Sequence, residues 1–295
     1  MKILLAVDAS ASSENAVQAV AARPWPPDTT IEIINVVQPS YVWDVPSLVE
    51  GMRQTSSEHV QAVANRLRSS GFAVTTRVLF GDPRAVIVDQ AAEMGADLVV
   101  VGSHGSTGLG LFLLGSVSKA VLRYAPCSVE IVRGQAPQPG ASGALKILLA
   151  TDGSEYSEAA ARSVAGRPWP AGTEVRVFSA VELHIPLFSV PYPPYLNAHA
   201  MENLRAEAMR HAEEALLRAE QIVSDAGLAK SSKVAVPLGT PQELILKEAA
   251  DWGPDLIVLG SHGRRGLNRF MLGSVSEAVA LHVSCSVEVI RQPRK

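Results

Sequence analysis

The 295-residue sequence predicts an α/β protein built from two tandem, doubly wound, five-stranded parallel-sheet domains. Three observations carry this: the chain repeats itself, each copy alternates apolar strands with helices, and a Pro/Gly/Ser-rich stretch separates the copies. "KILLAVDAS" (Lys2 to Ser10) returns as "KILLATDGS" (Lys146 to Ser154), and "RPWP" at 23–26 returns at 167–170, both at an offset of 144. "GDP" at 81–83 answers "GTP" at 239–241 at an offset of 158, so the second copy carries 14 extra residues between its second strand and third helix. Repeats of this size mean duplicated structural units. The domains are read as 1–134 and 145–295, with 135–144 as a flexible linker.

Within the first copy each element has a local reason. "KILLAVD" is a continuous apolar run, as in a strand covered on both faces, with Asp8 at its end. Ser12 to Ala22 is a small-residue helix that stops before "RPWP". "TIEIINVV" is the second strand, the stretch from Ser47 to Ser70 a longer amphipathic helix, and "AVTTRVLF" the third strand. "DPRAVIVDQAAEMG" has proline near a helix start and Gly95 past its end. "ADLVVVG", "GSVSKAVLRYA" and "CSVEIVR" complete the copy as strand, helix and strand. Such alternation implies parallel βαβ units with right-handed crossovers.

Composition narrows the function classes. With 47% hydrophobic and 19% charged residues the chain has the make-up of an ordinary globular protein. A formal net charge of −3 argues against a broad nucleic-acid footprint, which usually needs a basic face. The N-terminal apolar run is broken by Asp8, too short for a signal segment, and no run approaches the roughly 20 residues of a membrane span. The expectation is a cytoplasmic protein without nucleic-acid or membrane partners. Cys127 and Cys285 occupy matching places at the start of the last strands, which reads as small apolar residues, with redox or metal chemistry as the alternative.

The feature that points to chemistry is a glycine loop present twice. "GSHGSTGLGLFLLGSVSKAV" begins at Gly102, and "GSHGRRGLNRFMLGSVSEAV" begins at Gly260. Neither is a Walker A loop, which needs a lysine, nor a dinucleotide GxGxxG fingerprint. The shared spacing is Gly102, Gly105, Gly115, Ser116 in the first copy and Gly260, Gly263, Gly273, Ser274 in the second. Each loop follows a strand and feeds a helix. Ligands of open parallel sheets bind beyond the strand carboxyl ends, and a helix N-terminus reached through glycines suits an anion. Ser116 could cap its helix while contacting a phosphate. Asp8, acceptor-only when ionised, suits a ribose or adenine donor, with the Val37 backbone near the adenosine. The alternatives are a purely structural turn for the loop and a helix cap for Asp8. His104 and His262 read as loop hydrogen-bonders, with catalytic base as the alternative. No Ser-His-Asp ordering or metal-ligand set stands out.

This pattern, GxxG, nine residues, then G[ST], behind a strand that ends in aspartate, resembles the universal stress protein family over nearly the whole chain. The resemblance implies a flavodoxin-like strand order 3-2-1-4-5 and ATP binding, with Mg²⁺ accompanying the nucleotide. The implied contacts are Asp8, Val37, Gly102, Ser103, His104, Gly105, Gly108, Gly115, Ser116 and Val117 in one half. In the other they are Asp152, Gly153, Val181, Gly260, Ser261, His262, Gly263, Arg264, Arg265, Gly266, Gly273, Ser274 and Val275. One departure is Ala9, where the second copy has Gly153. The family's habit of pairing last strands implies that "CSVEIVR" and "CSVEVIR" pair within this chain, and that chains associate as homodimers. The expected role is a nucleotide-dependent regulator in stress. The rivals are a slow ATPase or phosphotransferase and a nucleotide-free dimerising scaffold. Arg264, Arg265 and Arg269 replace Ser106, Thr107 and Leu111, while Lys119 is replaced by Glu277. That makes the second site the more basic and the expected triphosphate site. The Pro- and aromatic-rich segment 183–199 reads as a subunit contact or a lid.

Overall fold

The computed structural model describes residues 1–38, 45–105, 114–134, 143–181, 198–235, 240–264 and 272–292. Gly108, Arg265, Gly266, Arg269, most of the linker 135–144 and nearly all of segment 183–199 lie outside the described residues. The first half runs β1 (Lys2–Ala6), α1 (Ala11–Ala22), β2 (Thr30–Val37), α2 (Pro46–Ser69), β3 (Ala73–Phe80), α3 (Pro83–Glu93), β4 (Leu98–Gly102), α4 (Ser116–Tyr124) and β5 (Ser128–Val132). The second runs β6 (Lys146–Ala150), α5 (Glu155–Ala165), β7 (Glu174–Ala180), α6 (Ala198–Asp225), β8 (Ala229–Ala235), α7 (Pro241–Trp252), β9 (Leu256–Gly260), α8 (Ser274–His282) and β10 (Ser286–Ile290).

The strands form one ten-stranded sheet in the order β3-β2-β1-β4-β5-β10-β9-β6-β7-β8. Each half has the doubly wound order 3-2-1-4-5, with all pairs inside a half parallel. β5 and β10 pair antiparallel, Glu130 opposite Glu288, Val129 opposite Val289 and Ile131 opposite Val287. The last strands thus cover each other's edges within one chain, which removes two exposed edges.

Local chemistry places the helix ends. Ser10 and Ser154 cap α1 and α5 by accepting from Ser13 N and Ser157 N. Asp82 caps α3, with proline at its first position. Gly253, at φ 65°, closes α7 in the left-handed conformation. The "RPWP" repeat ends α1 and α5 in the same way: Trp25 Nε1 donates to Val20 O (2.9 Å) and Trp169 Nε1 to Val164 O (2.7 Å).

The two faces of the sheet differ. On the face of α3, α4, α7 and α8 one apolar cluster runs through both halves and includes Val121, Val129, Ile131, Val279, Val287 and Val289. On the other face each half keeps its own cluster, around Leu5, Val17 and Leu67 in the first and Leu149, Val164 and Val223 in the second. Between them lies a buried charge quartet. Arg23 donates to Glu130 at 2.5 Å, and Arg167 holds Glu288 with both terminal nitrogens, Nη1 (2.7 Å) and Nη2. Arg23 stacks over Trp25 at 5.2 Å, and Arg167 stacks over Trp25 (5.7 Å) and Trp169 (5.9 Å). Burial pushes the Glu130 carboxyl up, and Glu288 opposite adds to this against the pull of Arg23. Burial works to lower the Arg167 pKa, but Glu288 and Glu130 raise it on balance.

Cys127 and Cys285 each stand one residue before their strands, and burial pushes both thiols up to about 12. The thiolate is the reactive form. Neither cysteine should react with iodoacetamide at pH 8 in the native protein, and both should react in denaturant. Rapid native alkylation of either would overturn the reading of these residues as inert packing groups.

Candidate functional site

The glycine loops and the β1 and β6 ends meet at the carboxyl edge of each half-sheet. β1 stops at Ala6, so Asp8 lies two residues beyond the strand rather than at its end. Asp8 is not the cap of α1. It accepts Ser10 N on Oδ1 (3.0 Å), and Ser10 in turn caps the helix. Asp152 does the same for Ser154, which donates from both N (3.0 Å) and Oγ (2.6 Å). One carboxylate oxygen is therefore spent on the turn, and the other faces the loop. A Cβ on Gly105 would lie 3.0 Å from Asp8 Oδ2, and one on Gly263 would lie 2.8 Å from Asp152 Oδ2. Only glycine lets the loop approach the carboxylate this closely.

The loop ends are tied together. Ser103 N donates to Val132 O (3.1 Å) and Gly115 N to Ser103 O (2.8 Å); Ser261 N to Ile290 O and Gly273 N to Ser261 O repeat this, both at 2.8 Å. A Cβ at Gly115 would stand 3.3 Å from Ser103 O, and at Gly273 3.0 Å from Ser261 O. These two glycines, not Ser116 and Ser274, are the N-caps of α4 and α8, and no side chain caps either helix. Ser116 and Ser274 are the first helical residues and are exposed, so their hydroxyls and the first-turn amides are presented outward. Val117 and Val275 turn inward against the shared apolar cluster. Val37 O already accepts Gly81 N (3.1 Å), and Val37 and Val181 are both buried.

Gly102 and Gly260 have a different reason to be glycine. A Cβ on Gly102 would lie 2.6 Å from the Ser12 carbonyl, and one on Gly260 2.6 Å from the Tyr156 carbonyl carbon. The missing side chain admits the first turn of α1 or α5 onto the strand end. The loop carbonyl is fixed from the other side by residues that the motif spacing did not single out: Ser118 Oγ donates to Gly102 O (2.7 Å) and Ser276 Oγ to Gly260 O (2.6 Å). Their signal was the second serine of the repeated "GSVS".

The histidines are held inside the loops. His104 Nδ1 meets Ser103 Oγ at 3.0 Å, and Ser103 Oγ meets Ser12 Oγ at 3.0 Å. Its Nε2 is buried, and burial followed by the nearby Arg133 charge lowers its pKa. His104 thus braces the loop from within. His262 makes the same contact with Ser261 (3.0 Å), and its ring lies 4.9 Å from Tyr156, which replaces Ser12. Gly153 adopts φ 76°, and a Cβ there would meet Arg218 Nη2 at 2.6 Å. Ala9 has no positive φ, so the first half makes this turn differently and has room for the methyl. Arg264 donates its backbone N–H to Asp152 Oδ2 (3.0 Å) and its Nε to Asp152 O (2.7 Å), so this arginine is folded onto the aspartate. Among the described residues no group of three acidic, histidine or cysteine side chains is placed to hold a metal ion. A groove of about 610 Å³ between α3 and α4, lined by Arg84, Asp89, Lys119 and Tyr124, touches Ser116 but contains neither Asp8 nor the loop glycines.

The fold is that of a duplicated doubly wound α/β protein, with one glycine loop at the strand carboxyl ends of each half. The family model described as the universal stress protein family matches residues 1–133 and 144–291. A universal stress protein of Mycolicibacterium smegmatis is 31% identical over 301 residues, covering 98% of this chain and 96% of that protein. One from Mycobacterium tuberculosis is 32% identical over 226 residues, covering 75% and 70%. The crystal structure of a universal stress protein from Archaeoglobus fulgidus superposes with a TM-score of 0.66 at 20% identity, covering 98% of each chain, and shows the shared fold. The chain belongs to the universal stress protein family, as a tandem two-domain member. No helix among the described residues is long and apolar enough to cross a membrane.

Proposed function

We propose that each half binds one adenine nucleotide, ATP with Mg²⁺, and that the chain acts as a nucleotide-dependent regulator in the cytoplasm, associating as a homodimer. The observation that carries this is the pair of helices, α4 and α8, that open on glycines with no side-chain cap, tied to loop starts whose Gly105 and Gly263 lie against an aspartate. The first-turn amides with Ser116 or Ser274 suit phosphate oxygens, because amides and helix dipole both favour an anion there. Asp8 and Asp152 offer the acceptor that a ribose hydroxyl or adenine amine needs. Mg²⁺ would ride on the phosphates, which commonly supply several of its ligands. Binding is favoured over rapid turnover because neither loop carries a Walker lysine, and in the first half the His104 Nε2 is buried and so poorly placed to act as a base.

Equilibrium dialysis against radiolabelled ATP with Mg²⁺ should give two nucleotides per chain. Protein purified without added nucleotide and then boiled should release adenine nucleotide into the supernatant. Absence of binding at millimolar ATP, together with a nucleotide-free supernatant, would leave the scaffold reading standing instead.

A further inference from the structure

The two candidate sites lie at opposite strand ends of the sheet, because β5 and β10 run antiparallel, yet hydrogen bonds lead from each to the other. Ser103, at the start of the first glycine loop, hangs by its N–H from Val132 O at the end of β5. The next residue, Arg133, crosses the seam. Its N–H donates to Ser286 Oγ (3.1 Å), and its guanidinium donates to Ala280 O (2.9 Å) and to Val283 O at the carboxyl end of α8. α8 begins at Ser274, the anion-reading end of the second site. The reverse connection has the same parts. Ser261 N hangs from Ile290 O, and Arg291 N donates to Ser128 Oγ (3.2 Å). The Arg291 guanidinium donates to Leu122 O (2.8 Å) and Arg123 O (2.9 Å), at the carboxyl end of α4. Arg123 Nε of α4 also reaches Glu277 of α8 at 2.7 Å.

We propose that Arg133 and Arg291 couple the two sites, so that nucleotide bound at one raises the affinity of the other; this rests on the nucleotide reading above. A cation at a helix carboxyl end and an anion at its amino end both complement the same dipole. Phosphate arriving at Ser274 therefore favours the state in which Arg133 is docked on α8. A docked Arg133 holds the end of β5, from which Ser103 and, through it, Gly115 are hung. Arg291 carries the same effect from Ser116 to the Ser261–Gly273 loop. Linkage makes the coupling reciprocal. Each arm is short, since a nine-residue helix spans about 13 Å.

The test is calorimetric titration of the full chain with ATP and Mg²⁺ in four forms: wild type, Gly115→Val, Gly273→Val and the double variant Arg133→Lys/Arg291→Lys. Lysine keeps the charge but not the fork that grips two carbonyls. The expected result is that each site, measured alone in a blocked variant, binds about 5-fold or more weakly than the same site in wild type with its partner filled. In the double variant both sites should bind, independently, at the affinities of the blocked variants. Equal affinity of a site in wild type and blocked protein would overturn the coupling. So would cooperativity that survives in the double variant. Should the double variant not fold, the comparison of wild type with the two blocked variants decides alone. Failure of every form, wild type included, to bind ATP would instead overturn the nucleotide reading, and the coupling with it.

Discussion

Replacing Gly273 with valine is expected to remove one of two nucleotide equivalents per chain, and Gly115→Val the other. The effect is steric and local. At position 273 a Cβ already stands 3.0 Å from Ser261 O, tighter than ordinary contact, with His262 Cα at 3.4 Å, and both neighbours are backbone. The branched side chain must open the loop, break the Gly273 N to Ser261 O bond and tilt the first-turn amides of α8. A misplacement of this size should weaken binding at that site by about 100-fold, comparable to the loss of one strong charge-assisted hydrogen bond. Both backbone angles at these glycines, φ −64° and ψ 144° for Gly273, are open to any residue, so the fold should survive. Titration with ATP should therefore fall from two sites to one in each single variant and to none when both Gly115 and Gly273 are replaced by valine. Two undiminished sites in both single variants would remove the loops from the binding assignment.

Arg167→Ala should be the most destabilising single change at the seam. It strips the partner from Glu288, which is 1% exposed and sits opposite Glu130, itself 1% exposed. Two carboxylates would then face each other with one arginine between them. Breaking a buried pair by removing one member costs about 3–5 kcal/mol. For domains of this size that is a fall in Tm on the order of 10 °C. Replacing both members, Arg167→Met with Glu288→Leu, should recover most of the loss, because a desolvated pair contributes little net stability over apolar packing. A melting temperature for Arg167→Ala within about 2 °C of wild type would show that the quartet is relaxed by water.

The quartet also explains a repeat that had no function at the level of sequence. "RPWP" reads only as a helix stop. In the structure its arginines reach 107 and 121 residues along the chain to glutamates on the last strands, and Trp25 lies under arginines from both halves. Buried ion pairs of this kind add little stability, and each lies within its own half; what crosses the seam is Arg167 stacked over Trp25 and Glu130 set opposite Glu288.

What the sequence by itself determined is whatever depends on neighbours along the chain. Strand runs such as "AVTTRVLF", the proline and serine helix starts, the duplication and the spacing of the glycines were all legible, because backbone propensity and capping act over a few residues. The strand order and the pairing of the last strands followed from family resemblance and were met by the structure. What only the tertiary structure decided is which side chain faces which across long separations. Gly102 and Gly105 stand in one motif, yet the first makes room for a helix backbone and the second for a carboxylate. The cap of α4 moved from Ser116 to Gly115, which leaves the serine free for another partner. Arg264 turned onto Asp152 rather than standing free. Arg133 and Arg291, ordinary strand-end residues in the sequence, became the caps of helices whose carbonyls lie 147 and 169 residues away. These outcomes depend on three-dimensional distance, which local pattern does not encode, because a side chain's partner is set by packing of the whole sheet.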